Sequence, residues 1–305
     1  MRLMVKKFSV FLTLVMAAAV LTACNSHEYA KGESKLIEAK ELSGIIGAKN
    51  VVIVDMRSAE EYADGHVFGA VNIPVSDIVI NVPVKNMLTS EKKIQKVLSA
   101  AGISNDTRIL AYDADKMSAA RMLWTLFMYG HENVMVIDGG IDAIQKAEIS
   151  LTREIPEVVP TVFEVRKPSQ NWLATMKEVA AIVNEPDPNI VLLDVRSDAE
   201  YTEFGKIPGS VMMDYLGNYY GDGTLKNVQT TRINYLSAGI QPEQEIIIYC
   251  QTSFRAAPVF LGLYNAGYRN IRIYDGAFLE WTSNSANPIE MPEGGAAAPK
   301  KQDAS

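Results

Sequence analysis

Val51-Val52-Ile53-Val54-Asp55-Met56-Arg57-Ser58 decides the fold, because the chain writes it again as Ile190-Val191-Leu192-Leu193-Asp194-Val195-Arg196-Ser197. Glu61-Tyr62 follows the first copy and Glu200-Tyr201 the second. Gly65-His66-Val67-Phe68-Gly69-Ala70 then pairs with Gly205-Lys206-Ile207-Pro208-Gly209-Ser210. Farther on, Ile109-Leu110-Ala111-Tyr112-Asp113 pairs with Ile246-Ile247-Ile248-Tyr249-Cys250, and Asp138-Gly139-Gly140 with Asp275-Gly276-Ala277. The offset is 139 residues at the first aspartates and 137 at the last, a register too long to arise by chance.

Each copy reads as α/β. Short β-branched runs without alternation suit parallel strands buried on both faces. They are Val51–Val54, Arg108–Tyr112 and Val134–Ile137, then Ile190–Leu193, Glu245–Tyr249 and Ile271–Tyr274. Helical stretches lie between them. Ala119 to Tyr129 stops at Gly130, and Ala256 to Ala266 stops at Gly267, each glycine placed to end a helix. Pro258 falls in a first turn, where a missing N–H costs little. The alternation predicts two domains, each a parallel sheet with helices on both faces.

Composition agrees. A chain of 305 residues suggests two domains, and 48% hydrophobic with 21% charged residues excludes collagen, coiled coil and overall disorder. Two cysteines and three histidines are too few for a disulfide scaffold, an iron–sulfur cluster or a Cys-rich zinc site. No cofactor and no metal are expected. A net charge of −7 argues against nucleic acid as a partner.

The N-terminus reads as an address. Arg2, Lys6 and Lys7 precede an uncharged apolar run from Phe8 to Ala23, too short to span a membrane but normal for a signal peptide. Leu21-Thr22-Ala23-Cys24 resembles the lipobox of bacterial lipoproteins, which implies cleavage before Cys24 and lipidation of that cysteine. Cleavage removes three basic and no acidic residues, so the charge becomes −10. Lipid rather than charge would then hold the protein at a membrane of the bacterial cell envelope, on the periplasmic side or the cell surface. The expected layout is signal peptide 1–23, tether 24–34, first domain 35–151, linker 152–172, second domain 173–286 and disordered tail 287–305. Within the linker, Thr161–Arg166 could be an extended segment packed on a domain.

Cys250-Gln251-Thr252-Ser253-Phe254-Arg255 is the candidate site. It leaves an apolar strand and opens a helix, so a loop around the sulfur would aim unpaired backbone N–H groups at it. Arg255 closes the loop with a fixed charge. Both effects favour thiolate over thiol. Taken alone, Cys250 could equally be a buried small hydrophobe.

Here the chain resembles the tandem-domain rhodanese-type sulfurtransferases, represented by thiosulfate and 3-mercaptopyruvate sulfurtransferases. The resemblance rests on Asp194-Val195-Arg196 with Glu200-Tyr201, Ile207-Pro208-Gly209-Ser210, Tyr249-Cys250 with its six-residue loop, and Tyr274-Asp275-Gly276 before Trp281. Ala174, Lys177-Glu178-Val179 and Asp222-Gly223-Thr224-Leu225-Lys226 add to it. It implies that Cys250 takes a sulfane sulfur from a small-molecule donor and passes it, as a persulfide, to a thiol or cyanide acceptor. The N–H groups of Gln251, Thr252, Ser253, Phe254 and Arg255 would stabilise the sulfur anion, and Arg255 would bind the anionic part of the donor.

Departures are informative. Asp113 stands where Cys250 stands, with Asp115 close by and Lys116 offsetting the charge in part. The first domain is therefore expected to be inactive, structural or a binding pocket without chemistry. The tandem enzymes carry arginine where this chain has Glu200, which leaves the donor open. Ser253 replaces a common glycine, and Phe254 is bulky. Asp55, Arg57, Asp194 and Arg196 are expected to brace their loops by ion pairs. His66 and His131 have no histidine counterparts in the second copy, and Gly139-Gly140 reads as a turn. Trp124, Trp172 and Trp281 read as packing. Two rival functions remain: a non-catalytic sulfur- or anion-binding module of the envelope, and a Cys-dependent phosphatase. The cell-cycle dual-specificity phosphatases share the fold, but place five residues between Cys and Arg, against four here.

Overall fold

The structure, a computed structural model, describes residues 34–293. Cys24, the signal segment and the last twelve residues lie outside the described residues.

Both copies fold as five-stranded, all-parallel sheets with the same strand order. Across the first sheet run Leu36–Glu38, Val134–Asp138, Arg108–Tyr112, Val51–Asp55 and Val71–Asn72. Across the second run Leu173–Ala174, Ile271–Tyr274, Glu245–Tyr249, Ile190–Asp194 and Val211–Met212. The β-branched runs take the central places, where both faces are covered. Register sets the chemistry. Asp55 pairs with Tyr112 and Asp194 with Tyr249, so each repeated aspartate reaches the carboxyl end of the sheet beside Asp113 or Cys250.

Local signals start the helices. Ser58, Thr175 and Ser197 each accept the N–H of a glutamate three residues on, whose carboxylate accepts the cap residue's own backbone N–H. The last of these is Glu200. Ser118–Met128 is buried at every position, and Ala256–Asn265 is buried through Leu263. Helices apolar all round belong between layers. These two pack against each other, with Phe127, Trp172, Phe260 and Tyr264 meeting mostly edge to face. One core thus runs through both domains, while each sheet keeps a separate core on its outer face. Trp124 is part of the shared core and donates to the Trp172 carbonyl at 3.1 Å. Trp281 lies in the outer core of the second sheet.

Within 152–172, the stretch 161–166 is an extended segment packed on the first domain, the option the sequence left open. Phe163 is fully buried against His131, and Thr161 and Phe163 hydrogen-bond to Ser99. One boundary differs from the sequence reading: the tail does not begin at Asn287. Trp281 Nε1 donates to the Pro288 carbonyl, Lys206 and Glu290 exchange backbone bonds, and Gly209 N–H reaches the Glu290 carboxylate. Gly205 permits this approach, since a Cβ there would lie 2.4 Å from Ile289. A proline- and alanine-rich composition hid one buried indole that needed an acceptor.

Candidate active site

Cys250 ends the Glu245–Tyr249 strand, and Ala256–Asn265 begins directly after Arg255. The intervening loop is tied at its base. The Cys250 and Gln251 carbonyls accept N–H bonds from Phe278 and Leu279, at 2.9 and 3.2 Å. Ser253 has φ of +62°, the left-handed region that serine visits at a cost. A glycine would adopt that conformation without the cost. Cys250 is 1% exposed.

The first copy shows what such a loop does to an anion. Its Asp113 carboxylate accepts N–H bonds from Lys116 at 3.2 Å and Ala119 at 2.8 Å. Lys116 shares the left-handed φ, at +63°. In register, Lys116 is Ser253 and Ala119 is Ala256. The backbone of this loop type is therefore an anion cradle. Burial, then the neighbouring Asp115, pushes the Asp113 carboxyl up to about 7. Gly140 closes the back of that loop, where a Cβ would meet the Asp113 carbonyl at 2.3 Å. Gly139 is the turn read from the sequence, and Gly140 opens the helix Gly140–Lys146. A concavity of about 560 Å³ opens over this copy, lined by Met56, Arg57, Glu61, Pro74, Asp113 and Asp115 among others. It holds no thiol.

Arg255 is less free than the sequence implied. Its Nη1 and Nη2 grip the two oxygens of Glu200, each at 2.6 Å. Burial pushes the Glu200 carboxyl up, but Arg255 and the Ser197 N–H outweigh it and hold the carboxyl down at about 2. Burial also works against the Arg255 charge, yet Glu200 and the adjoining Cys250 sulfur keep the guanidinium charged. Arg255 thus lies between a resident carboxylate and the nucleophile. An anionic donor would have to compete with Glu200 for it.

Asp194 and Arg196 form an ion pair that fixes the loop after their own strand. The Arg196 guanidinium donates to both Asp194 oxygens and, at 2.7 Å, to the Gly205 carbonyl, and both side chains are fully buried. Asp55 and Arg57 repeat the arrangement. Thr252 meets Asn86 of the first domain at 3.1 Å, and Phe254 packs against the shared core. Among the described residues no cluster of His, Cys, Asp or Glu is placed to hold a metal ion. His66 stacks on Tyr62, with its two ring nitrogens beside the Tyr62 and Glu154 carbonyls.

Sequence reasoning missed Arg121. It is fully buried in Ser118–Met128 and reaches Ser253 and Asp275 of the second domain. The available signal was a lone charge inside an apolar helix.

Comparison with known proteins follows the repeat. A rhodanese-like domain matches residues 38–147 and again 175–284. A thiosulfate sulfurtransferase of Corynebacterium glutamicum is 27% identical over 285 residues, covering 87% of this chain and 93% of that protein. The sulfur carrier protein TtuD of Thermus thermophilus is 28% identical over 250 residues, covering 76% and 87%. An anaerobic ergothioneine biosynthesis enzyme from Chlorobium limicola, solved with trimethyl histidine, superposes with a TM-score of 0.75. That match has 20% identity and covers 84% of this chain and 70% of the other. At such identity it speaks to the fold alone.

Proposed function

Because the chain belongs to the rhodanese-like domain family through both of its halves, we propose that it is a sulfurtransferase that works through a persulfide on Cys250. The observation that carries this reading is the loop itself. Its first-domain counterpart holds a carboxylate by backbone N–H groups, and the second domain offers a thiol at the same position. Thiosulfate is the donor we favour, since the Corynebacterium relative bears that name.

In the first half-reaction the Cys250 thiolate attacks the outer sulfur of thiosulfate. The sulfur–sulfur bond of the donor breaks, and sulfite leaves with its electron pair. In the second, an acceptor thiolate or cyanide attacks the terminal persulfide sulfur, and Cys250 leaves as thiolate. The cradle stabilises the sulfur anion in both states, and a nearly buried sulfur keeps water from the persulfide. The first domain has a carboxylate at the matching place and can carry no sulfane sulfur.

Mass spectrometry after thiosulfate treatment tests the reading. The expected species is one sulfur atom heavier at Cys250 and absent from Cys250→Ser. If no sulfane donor leaves a sulfur on the wild type, a non-catalytic binding module replaces the enzyme.

We propose further that Cys24 is lipidated and anchors the protein in the cell envelope, supported by the Leu21-Thr22-Ala23-Cys24 sequence and the apolar run before it. Cys24→Ser should move the protein from the membrane fraction to the soluble one. Equal membrane recovery of both forms would refute the anchor.

A further inference from the structure

We propose that the first domain completes the nucleophile loop of the second through Arg121, a positioning residue that sets the shape of residues 252–254. A guanidinium in an apolar core is costly unless its partners repay the desolvation, and a well-packed apolar residue would serve stability at least as well. Two of the three bonds Arg121 makes cross to the other domain. Nη1 donates to Ser253 Oγ at 2.9 Å, and Nη2 donates to Asp275 Oδ1 at 2.8 Å and to the Asn86 carbonyl at 2.9 Å. Ser253 Oγ in turn donates to Asp275 Oδ1 at 2.8 Å.

The surroundings extend the grip. Asn86, held by Arg121 through its carbonyl, donates from its side chain to Thr252 Oγ1. Leu88 N–H fixes the other Asp275 oxygen at 2.6 Å. The guanidinium lies 4.4 Å from the Trp124 ring and 6.0 Å from that of Phe254. Three consecutive loop residues are therefore set by first-domain side chains.

The device has a reason. Ser253 sits at φ of +62°, which costs a non-glycine residue roughly 1–2 kcal/mol, so the loop needs bonds to stay in that shape. By register and by the shared left-handed φ, residues 253 and 256 match Lys116 and Ala119, whose amides hold Asp113. The clamp is also one-sided. Although the domains exchange similar bonds at Leu88–Asp275 and Leu225–Asp138, the position matching Arg121 is Pro258, which has no donor to give. The arginine serves the loop that bears the thiol.

The activity readout rests on the sulfurtransferase reading, so the primary test does not use activity. Iodoacetamide alkylation of Cys250 is followed against pH in the full chain for wild type, Arg121→Lys, Ser253→Ala and the double variant. Each single variant is expected to slow alkylation at pH 7 about tenfold, the loss of one charge-assisted bond. The double variant should be no slower than the slower single one, because both remove the same link. Thiosulfate turnover should then lose kcat rather than gain KM. Wild-type alkylation in either folded single variant, or effects that multiply in the double, would overturn the proposal. Ser253→Ala keeps the Arg121–Asp275 pair, so it still decides the matter if Arg121→Lys does not fold. Alkylation reads the thiol whatever the donor is, so a failed clamp and a failed donor assignment give different results.

Discussion

Replacing Glu200 by glutamine should weaken the fold slightly and improve the grip on an anionic donor. The gap between the ordinary carboxyl value of 4.5 and the value of about 2 to which Arg255 and Ser197 hold it sets a ceiling of about 3 kcal/mol on what ionised Glu200 contributes. Two facts reduce it. The Arg255 and Glu200 side chains keep 21% and 25% of their surface in water, which screens the pair. Glutamine also keeps the capping bonds to Ser197. The expected loss is about 1–2 kcal/mol, or roughly 2–4 °C in Tm for a protein of this size. Glu200 has a folded value below its unfolded one. Its stabilisation is therefore complete above about pH 4.5 and fades as pH falls towards 2, so the Tm gap between the two forms should be full at pH 7 and shrink below pH 4.5. Thiosulfate kinetics provide the second readout. With Glu200 gone, Arg255 has no resident carboxylate to satisfy it, and KM should fall several-fold. An unchanged Tm together with an unchanged KM would refute the argument that Glu200 occupies the donor's arginine.

Asp113 has a folded value raised to about 7 from 3.8, so wild-type stability should fall as pH rises between those limits and level off above them. Asp113→Ser should remove that slope, with its Tm gaining on wild type from pH 4 to pH 7; parallel Tm profiles would refute the buried-carboxyl account. Phe163→Ala should cost about 3–5 kcal/mol, a Tm loss of about 5–9 °C, because it empties a fully buried aromatic site in the segment joining the domains. A loss below 3 °C would mean that the segment does not bear on the fold. Gly140→Ala should be destabilising by more than the few tenths of a kcal/mol of an ordinary surface change, since its Cβ would strike the Asp113 carbonyl. Urea midpoints would measure it, and a wild-type midpoint would exclude the clash.

Two parallel-sheet domains, the places of their central strands and long helices, the Asp194–Arg196 pair and the asymmetry between Cys250 and Asp113 were all legible in the chain alone. These are local matters. Strand runs, capping residues and a strand–Cys–loop–Arg–helix order all lie within a few residues of one another, and the repeat reads them twice. Only tertiary structure decided which partner each charged group takes. Arg255 and Glu200 are 55 residues apart, and Arg121 and Ser253 are 132 apart. Composition cannot show that the one arginine is already engaged or that the other crosses a domain boundary. The packing of the chain past Asn287 against Trp281 was hidden for the same reason, and the sequence could only leave open that Phe163 packs on a domain. A segment rich in proline and polar residues packs when a distant surface offers an aromatic a pocket, or when a buried N–H needs an acceptor. Desolvation settles these cases. A charge or indole removed from water must find its partner wherever the fold has placed one.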